Sequence, residues 1–139
     1  MFKNILLAYD GSENAERAAE KAIYLSKATK DAKVEVVYVL DFTKEKMDGL
    51  PYKEKEAIML QRRERLIPLE EKLEQKKISF DIKLLQGDPG PTLVSYANER
   101  PFDAVVIGSR GLNAFQEMVL GSVSHKVAKR VTCPVMIVK

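Results

Sequence analysis

A chain without a cationic cage can still hold phosphate where glycines link the exit of a strand to the entry of a helix. This sequence has such an arrangement in its last third. It runs Gly108-Ser109-Arg110-Gly111, then nine residues, then Gly121-Ser122. The apolar run Ala104-Val105-Val106-Ile107 leads straight into the first glycine, and a helical pattern follows the last. Glycine lets backbone N–H groups come close to a ligand, and a helix N-terminus offers unpaired donors and partial positive charge. The chemistry on offer is retention of a nucleotide or a similar anion. Ser122 reads as the N-cap of the next helix, with its hydroxyl and the N–H groups behind it turned to phosphate oxygens.

A second polar turn, Asp10-Gly11-Ser12, ends the first apolar run. Asp10 has three roles open to it: accepting from a ribose hydroxyl, holding magnesium directly or through water, or capping the first helix. Arg110 is either a ligand contact or a solvated loop charge. Other phosphate loops do not fit. The chain has no G-x-x-x-x-G-K followed by Ser or Thr, and no G-x-G-x-x-G after its first strand, so P-loop and dinucleotide fingerprints are both absent. His125, the sole histidine, lacks a visible orienting partner for catalysis and is assigned to the solvent side of the last helix. Cys133, the sole cysteine, reads as a small buried apolar group rather than a thiolate.

The elements that would position these residues follow from hydrophobic period. Short apolar runs at Phe2 to Tyr9, Val34 to Leu40, Ile78 to Leu85, Ala104 to Ile107 and Pro134 to Val138 read as strands. Helical spacing marks Glu13 to Lys30, with Ala15, Ala18, Ala19, Ala22, Ile23 and Leu25 on one face. It marks Lys53 to Lys77 too, with Ile58, Leu66, Leu69 and Leu73 as the stripe and Pro68 expected to kink or interrupt it. Two shorter helices are expected at Thr92 to Glu99, with Pro91 near its start, and at Ser122 to Val131, with Val123, Val127, Ala128 and Val131 facing inward.

Strict alternation of strand and helix predicts a single doubly wound α/β domain, a five-stranded parallel sheet with helices on both faces. Ligands in such sheets bind beyond the carboxyl ends of the strands, where the winding reverses. In the order 3-2-1-4-5, strands one and four would be neighbours there, Asp10 would face the glycine segment, and Val39-Leu40 would wall in a base.

Bulk properties limit the alternatives. One domain is the natural reading of 139 residues. Net charge is +3, from 23 basic and 20 acidic side chains that are intermixed, which argues against nucleic acid as a partner. No apolar run nears the roughly 20 residues of a membrane helix. The N-terminus has no signal-peptide layout, and the lone cysteine fits a reducing compartment, so a cytoplasmic protein is expected.

Taken together, the segments resemble the universal stress protein family. Its ATP-binding signature is G-x-x-G, nine residues, then G with Ser or Thr, and Gly108, Gly111, Gly121 and Ser122 match it. Ala8-Tyr9-Asp10-Gly11-Ser12-Glu13, Gly87-Asp88-Pro89, Phe102 to Gly111 and Cys133-Pro134-Val135 are similar to other segments of the family. The resemblance implies an adenine-nucleotide alpha-hydrolase-like fold that binds ATP, or AMP or ADP, with Mg2+ carried by the nucleotide. It implies that Ala8 and Asp10 lie at the ribose and metal end, Val39 near adenine, and Gly108, Ser109, Arg110 and Gly111 over ribose and phosphates. Gly121, Ser122, Val123 and Ser124 would receive the phosphates. It also implies a homodimer paired through residues 135–138. Gln116-Glu117 departs from the pattern, because many relatives carry basic residues there. The function expected is a stress-response regulatory module. A slow ATPase or phosphotransferase and a nucleotide-free interaction dimer are the alternatives.

Overall fold

The computed structural model describes residues 2–41, 49–110 and 120–139. Five parallel strands form one sheet: β1 (Asn4–Ala8), β2 (Lys33–Leu40), β3 (Ser79–Gln86), β4 (Ala104–Gly108) and β5 (Val135–Val138). Their order is β3-β2-β1-β4-β5, the order expected, so the winding reverses between β1 and β4. Helix α1 (Glu13–Lys27) links β1 to β2, and α2 (Tyr52–Glu64) and α3 (Ile67–Gln75) lie between β2 and β3. Helix α4 (Pro89–Asn98) precedes β4, and α5 (Ser122–Arg130) joins β4 to β5.

The period of two sorts the strand residues into two cores. Ile5, Leu7, Tyr9, Val34, Val36, Tyr38, Leu40, Val106 and Val138 pack with Leu66, Leu69, Leu73 and the α1 alanines. Leu6, Ala8, Val37, Val105 and Ile107 pack against Leu93, Tyr96 and Ala97 of α4 and Val127 of α5. β1 sits at the centre and is covered on both faces, which is why Ile5, Leu6 and Leu7 are all fully buried. Ala18, Ala19 and Ala22 are also fully buried, so the helix backbone rides close to the sheet. One bond crosses from α4 to the sheet: the Tyr96 hydroxyl donates to Glu35 (2.8 Å). Burial, and then that bond, push the phenol up to about 12.

Several boundaries differ from the sequence reading, each for a local reason. α1 stops at Lys27 rather than Lys30, because Ala28 caps it and Asp31 turns left-handed (φ 62°) to enter β2. The long helix is cut in two. Pro68 has no N–H for the carbonyl four residues back, which belongs to Glu64, the last residue of α2. The same proline suits the first turn of α3, and Arg63 of α2 pairs with Glu70 of α3 across the break. α4 begins at Pro89, three residues early, since neither Pro89 nor Pro91 needs an N–H in a first turn. Val127 of α5 is buried, and Val123 and the C-cap Val131 are half-buried, but Ala128 is exposed and does not share their face as expected.

The start of β1 is tied to β4 by Asp103. Its carboxylate accepts from the backbone N–H groups of Asn4 (2.8 Å) and Lys3 (3.0 Å). The bond from Asn4 is the main reason its pKa lies below the usual carboxylate value. A depressed folded-state pKa means the ionised form favours the fold. Its contribution is complete above the unfolded value of about 3.9 and is lost as pH falls through the folded value. Urea unfolding from about pH 6 down to about pH 3 should therefore show a shallower acid loss for Asp103→Asn than for the wild type. Parallel acid limbs for the two proteins would contradict this assignment.

Candidate functional site

The reversal point brings the exits of β1 and β4 side by side, with Ala8 in register with Ile107. Beyond β1 the chain makes a tight polar turn. The Asp10 carboxylate accepts from the Ser12 N–H (2.9 Å), and Gly11 takes the left-handed conformation (φ 83°) that this turn requires. The Ser12 hydroxyl then accepts from Ala15 N–H (3.1 Å) and caps α1. Asp10 therefore does not cap the helix itself. It organises the turn before it and is half-buried. Tyr9, just before it, donates its hydroxyl to Glu16. Burial, and then that bond, hold the phenol well above its ordinary pKa, so it stays a donor.

Beyond β4 the first glycine meets a helix. A Cβ at Gly108 would lie 2.8 Å from the Asn14 Cβ, 2.9 Å from the Asn14 carbonyl carbon and 3.1 Å from the Ala15 nitrogen. Gly108 thus lets the first turn of α1 rest on the end of β4. Ser109 follows and is buried. Its N–H donates to the Val138 carbonyl (2.7 Å), and its own carbonyl accepts from Gly121 N–H (2.7 Å) and the Ser124 hydroxyl (2.6 Å). Asn14 donates to the Ser109 hydroxyl (2.9 Å). Arg110 is half-buried. Gly111, Gln116 and Glu117 lie outside the described residues.

The chain returns at Gly121, whose extended backbone (φ −75°, ψ 170°) is the N-cap of α5. Ser122 is therefore not the cap but the first helical residue, and it is exposed. The reason lies one turn further in. The Ser124 hydroxyl bonds the carbonyls of Ser109 and Gly121 (2.6 and 3.1 Å), locking Gly121 at the boundary. Among the described residues no side chain caps α5, and N–H groups in the first turn of a helix have no partner within the helix, the arrangement an anion needs.

The remaining residues divide by face. Ala8 and Val39 lie on the α4–α5 side of the sheet, Ala8 buried and Val39 half-buried. Leu40 points to the α1–α3 side, so the apolar wall at the end of β2 is Val39 without Leu40. His125 is exposed on α5, as its lack of an orienting partner suggested. Cys133 is half-buried, and burial raises its pKa, which keeps it a thiol. Among the described residues no three His, Cys, Asp or Glu side chains gather as a metal site. A cation at Asp10 would need phosphate oxygens to complete its shell.

Sequence reasoning passed over Asn14. The signal was present: it is a polar residue on the alanine face of α1, and a buried polar group requires a partner.

Comparison with known proteins agrees with this architecture. A family model for the universal stress protein family matches residues 1–139. The chain is similar to a universal stress protein of Thermus aquaticus, 36% identical with all of both chains covered. It is also similar to the universal stress protein YxiE of Bacillus subtilis, 34% identical with all of both covered. Among solved structures, the hypothetical protein MJ0577 superposes with a TM-score of 0.89 at 26% identity, covering 100% of this chain and 96% of the other. A universal stress protein family member of Arabidopsis thaliana with AMP bound has the same fold, with a TM-score of 0.70 at 22% identity, covering 99% of this chain and 90% of the other. Among the described residues no helix is long and apolar enough to cross a membrane.

The approach at Gly108 distinguishes a packing glycine from a merely flexible one. Gly108→Ala should destabilise the protein by about 1–3 kcal/mol, because the atoms in its way are backbone and a helix-bound Cβ. Gly90→Ala should be neutral or stabilising, because there the obstacle is the flexible stem of Lys126 (Cδ at 2.8 Å) and alanine is the better helix former. Urea midpoints decide it, and equal midpoints for the two variants would sink the distinction.

Proposed function

The chain belongs to the universal stress protein family, and from that premise we propose that it is a regulatory module that holds an adenine nucleotide between the ends of β1 and β4. The observation that carries the reading is the uncapped first turn of α5, set across the winding reversal from the Asp10 carboxylate. The N–H groups of Ser122, Val123 and Ser124 receive phosphate oxygens, and Asp10 accepts from ribose or meets a nucleotide-borne Mg2+. Ala8 and Val39 form the apolar wall for the base, and Gly108, Ser109, Arg110, Gly111 and Gly121 carry the backbone past the phosphates. The AMP held by the Arabidopsis protein supports the ligand class, and ATP, ADP and AMP all fit it.

The site reads as one for holding rather than for fast transfer. Rapid phosphoryl transfer asks for a positioned base and for charge stabilisation at the leaving oxygens. Here the tyrosine beside Asp10 is locked as a donor to Glu16, Cys133 is a thiol, and His125 points to solvent. A bound nucleotide orders the first turn of α5, and through it the surface shown to partners. The cytoplasm, where a lone free cysteine stays reduced, is the proposed compartment.

A second copy of the chain completes the assembly proposed. β5 is an edge strand with Met136 exposed and Ile137 half-buried. An apolar edge invites pairing, and a two-fold partner would cover it.

Calorimetric titration of the purified chain should give saturable binding of ATP, ADP and AMP at submillimolar concentration. Asp10→Ala should weaken it about tenfold, and Gly121→Val should abolish it. Removing Mg2+ should weaken ATP more than AMP. Absence of heat and of any thermal shift at millimolar nucleotide would sink the reading. On a sizing column the wild type should elute as a dimer and Ile137→Asp as a monomer. An Ile137→Asp protein that still elutes as a dimer would place the interface elsewhere.

A further inference from the structure

The two ends of the glycine segment meet at one atom. The Ser109 carbonyl accepts both the Gly121 N–H (2.7 Å) and the Ser124 hydroxyl (2.6 Å). It therefore ties Ser109, just past the end of β4, to Gly121 and Ser124 at the start of α5. Ser109 is itself placed by neighbours on both sides. Its N–H reaches the Val138 carbonyl of β5 (2.7 Å), and its hydroxyl accepts from Asn14 of α1 (2.9 Å).

Asn14 is well suited to fix that hydroxyl. It is 7% exposed, beside Ala15, Ala18 and Ala19 on the buried face of α1. Its amide oxygen faces Arg17, which can only donate, so its amide nitrogen must be the end that faces Ser109. Arg17 is held in turn by the Lys139 carbonyl (2.8 Å). Both ends of the amide are engaged, and a flip would leave a donor facing a donor. The Gly108 approach, 2.8 Å from a missing Cβ to the Asn14 Cβ, keeps the helix turn and the strand end in fixed register.

We propose that Asn14 is a positioning residue for the nucleotide site: through the Ser109 hydroxyl it holds the carbonyl that clamps Gly121 and so aims the first N–H groups of α5. The inference rests on the nucleotide-holding reading of that helix start. Asn14 touches no ligand. Its effect comes from the tolerance of anion binding to misplaced donors, which is a fraction of an ångström.

The test compares two variants of the same helix by titration with ATP and AMP and by hydrogen exchange. Asn14→Ala should weaken nucleotide binding about tenfold, the size expected for one lost buried hydrogen bond. It should also speed exchange at the Gly121 amide. Ala22→Gly loosens α1 two turns away, at a fully buried position. It should lower the thermal midpoint yet bind nucleotide and exchange Gly121 as the wild type does. On a Ser109→Ala background, Asn14→Ala should cost little more affinity, because the two act as one unit. Binding by Asn14→Ala within twofold of the wild type would overturn the proposal, as would an equal loss in Ala22→Gly. A wild type that binds no adenine nucleotide removes the ligand reading. The Gly121 exchange rate then decides by itself whether Asn14 holds Gly121 in place, and an unchanged rate overturns it.

Discussion

Helix α1 and strand β4 can meet as they do only where the strand has no side chain. The backbone of Asn14 and Ala15 occupies the space a Cβ at Gly108 would need. From that approach much else follows. It puts the start of α1 over the winding reversal and brings Asn14 within reach of Ser109. It also sets the Asp10 turn, which leads into the same helix, beside the exit of β4. The alanine face of α1 continues the theme, since small side chains keep the helix low along its length.

The glycine segment therefore divides its labour in a way its spelling conceals. Gly108 is occupied with packing, and Gly121 with an extended cap that leaves a helix start uncapped. Two of the three serines turn inward, while Ser122 is exposed. Ser109 and Ser124 are both buried, and their polar atoms are engaged with the protein. A hydroxyl-rich pattern that suggests side chains reaching for phosphate is in this fold largely a frame that aims backbone N–H groups.

What was legible in the sequence was what depends on neighbours along the chain. The period-two runs place Leu6, Ala8 and Val37 on one face of the sheet and Ile5, Leu7 and Val36 on the other. Strict alternation gives a parallel doubly wound sheet, and the expected order 3-2-1-4-5, with its reversal between β1 and β4, is the order found. Pro68 marks a break that the structure realises as two helices. What escaped depends on contacts distant in sequence. Ser122 has the composition of a cap, yet the cap falls on Gly121, because Ser109 and Ser124 hold Gly121 from positions no local rule connects. Leu40 is a different case: adjacent strand residues face opposite sides, so the period of two alone already turned it away from the wall it was expected to share with Val39. Asn14 looks like an ordinary residue of a helical first turn until its partner 95 positions away is known.

A site framed this way has a chemical character of its own. Backbone N–H groups at a helix start carry fixed partial charge and do not titrate, so they stabilise an anion without being able to move a proton. The side chains that could move one are committed elsewhere: Tyr9 donates to Glu16, and burial keeps Cys133 protonated. The residual chemistry rests on one carboxylate, Asp10, already bound at one oxygen by the turn it organises. The same framing is anchored to the edge strand, because the Ser109 N–H donates to the Val138 carbonyl of β5.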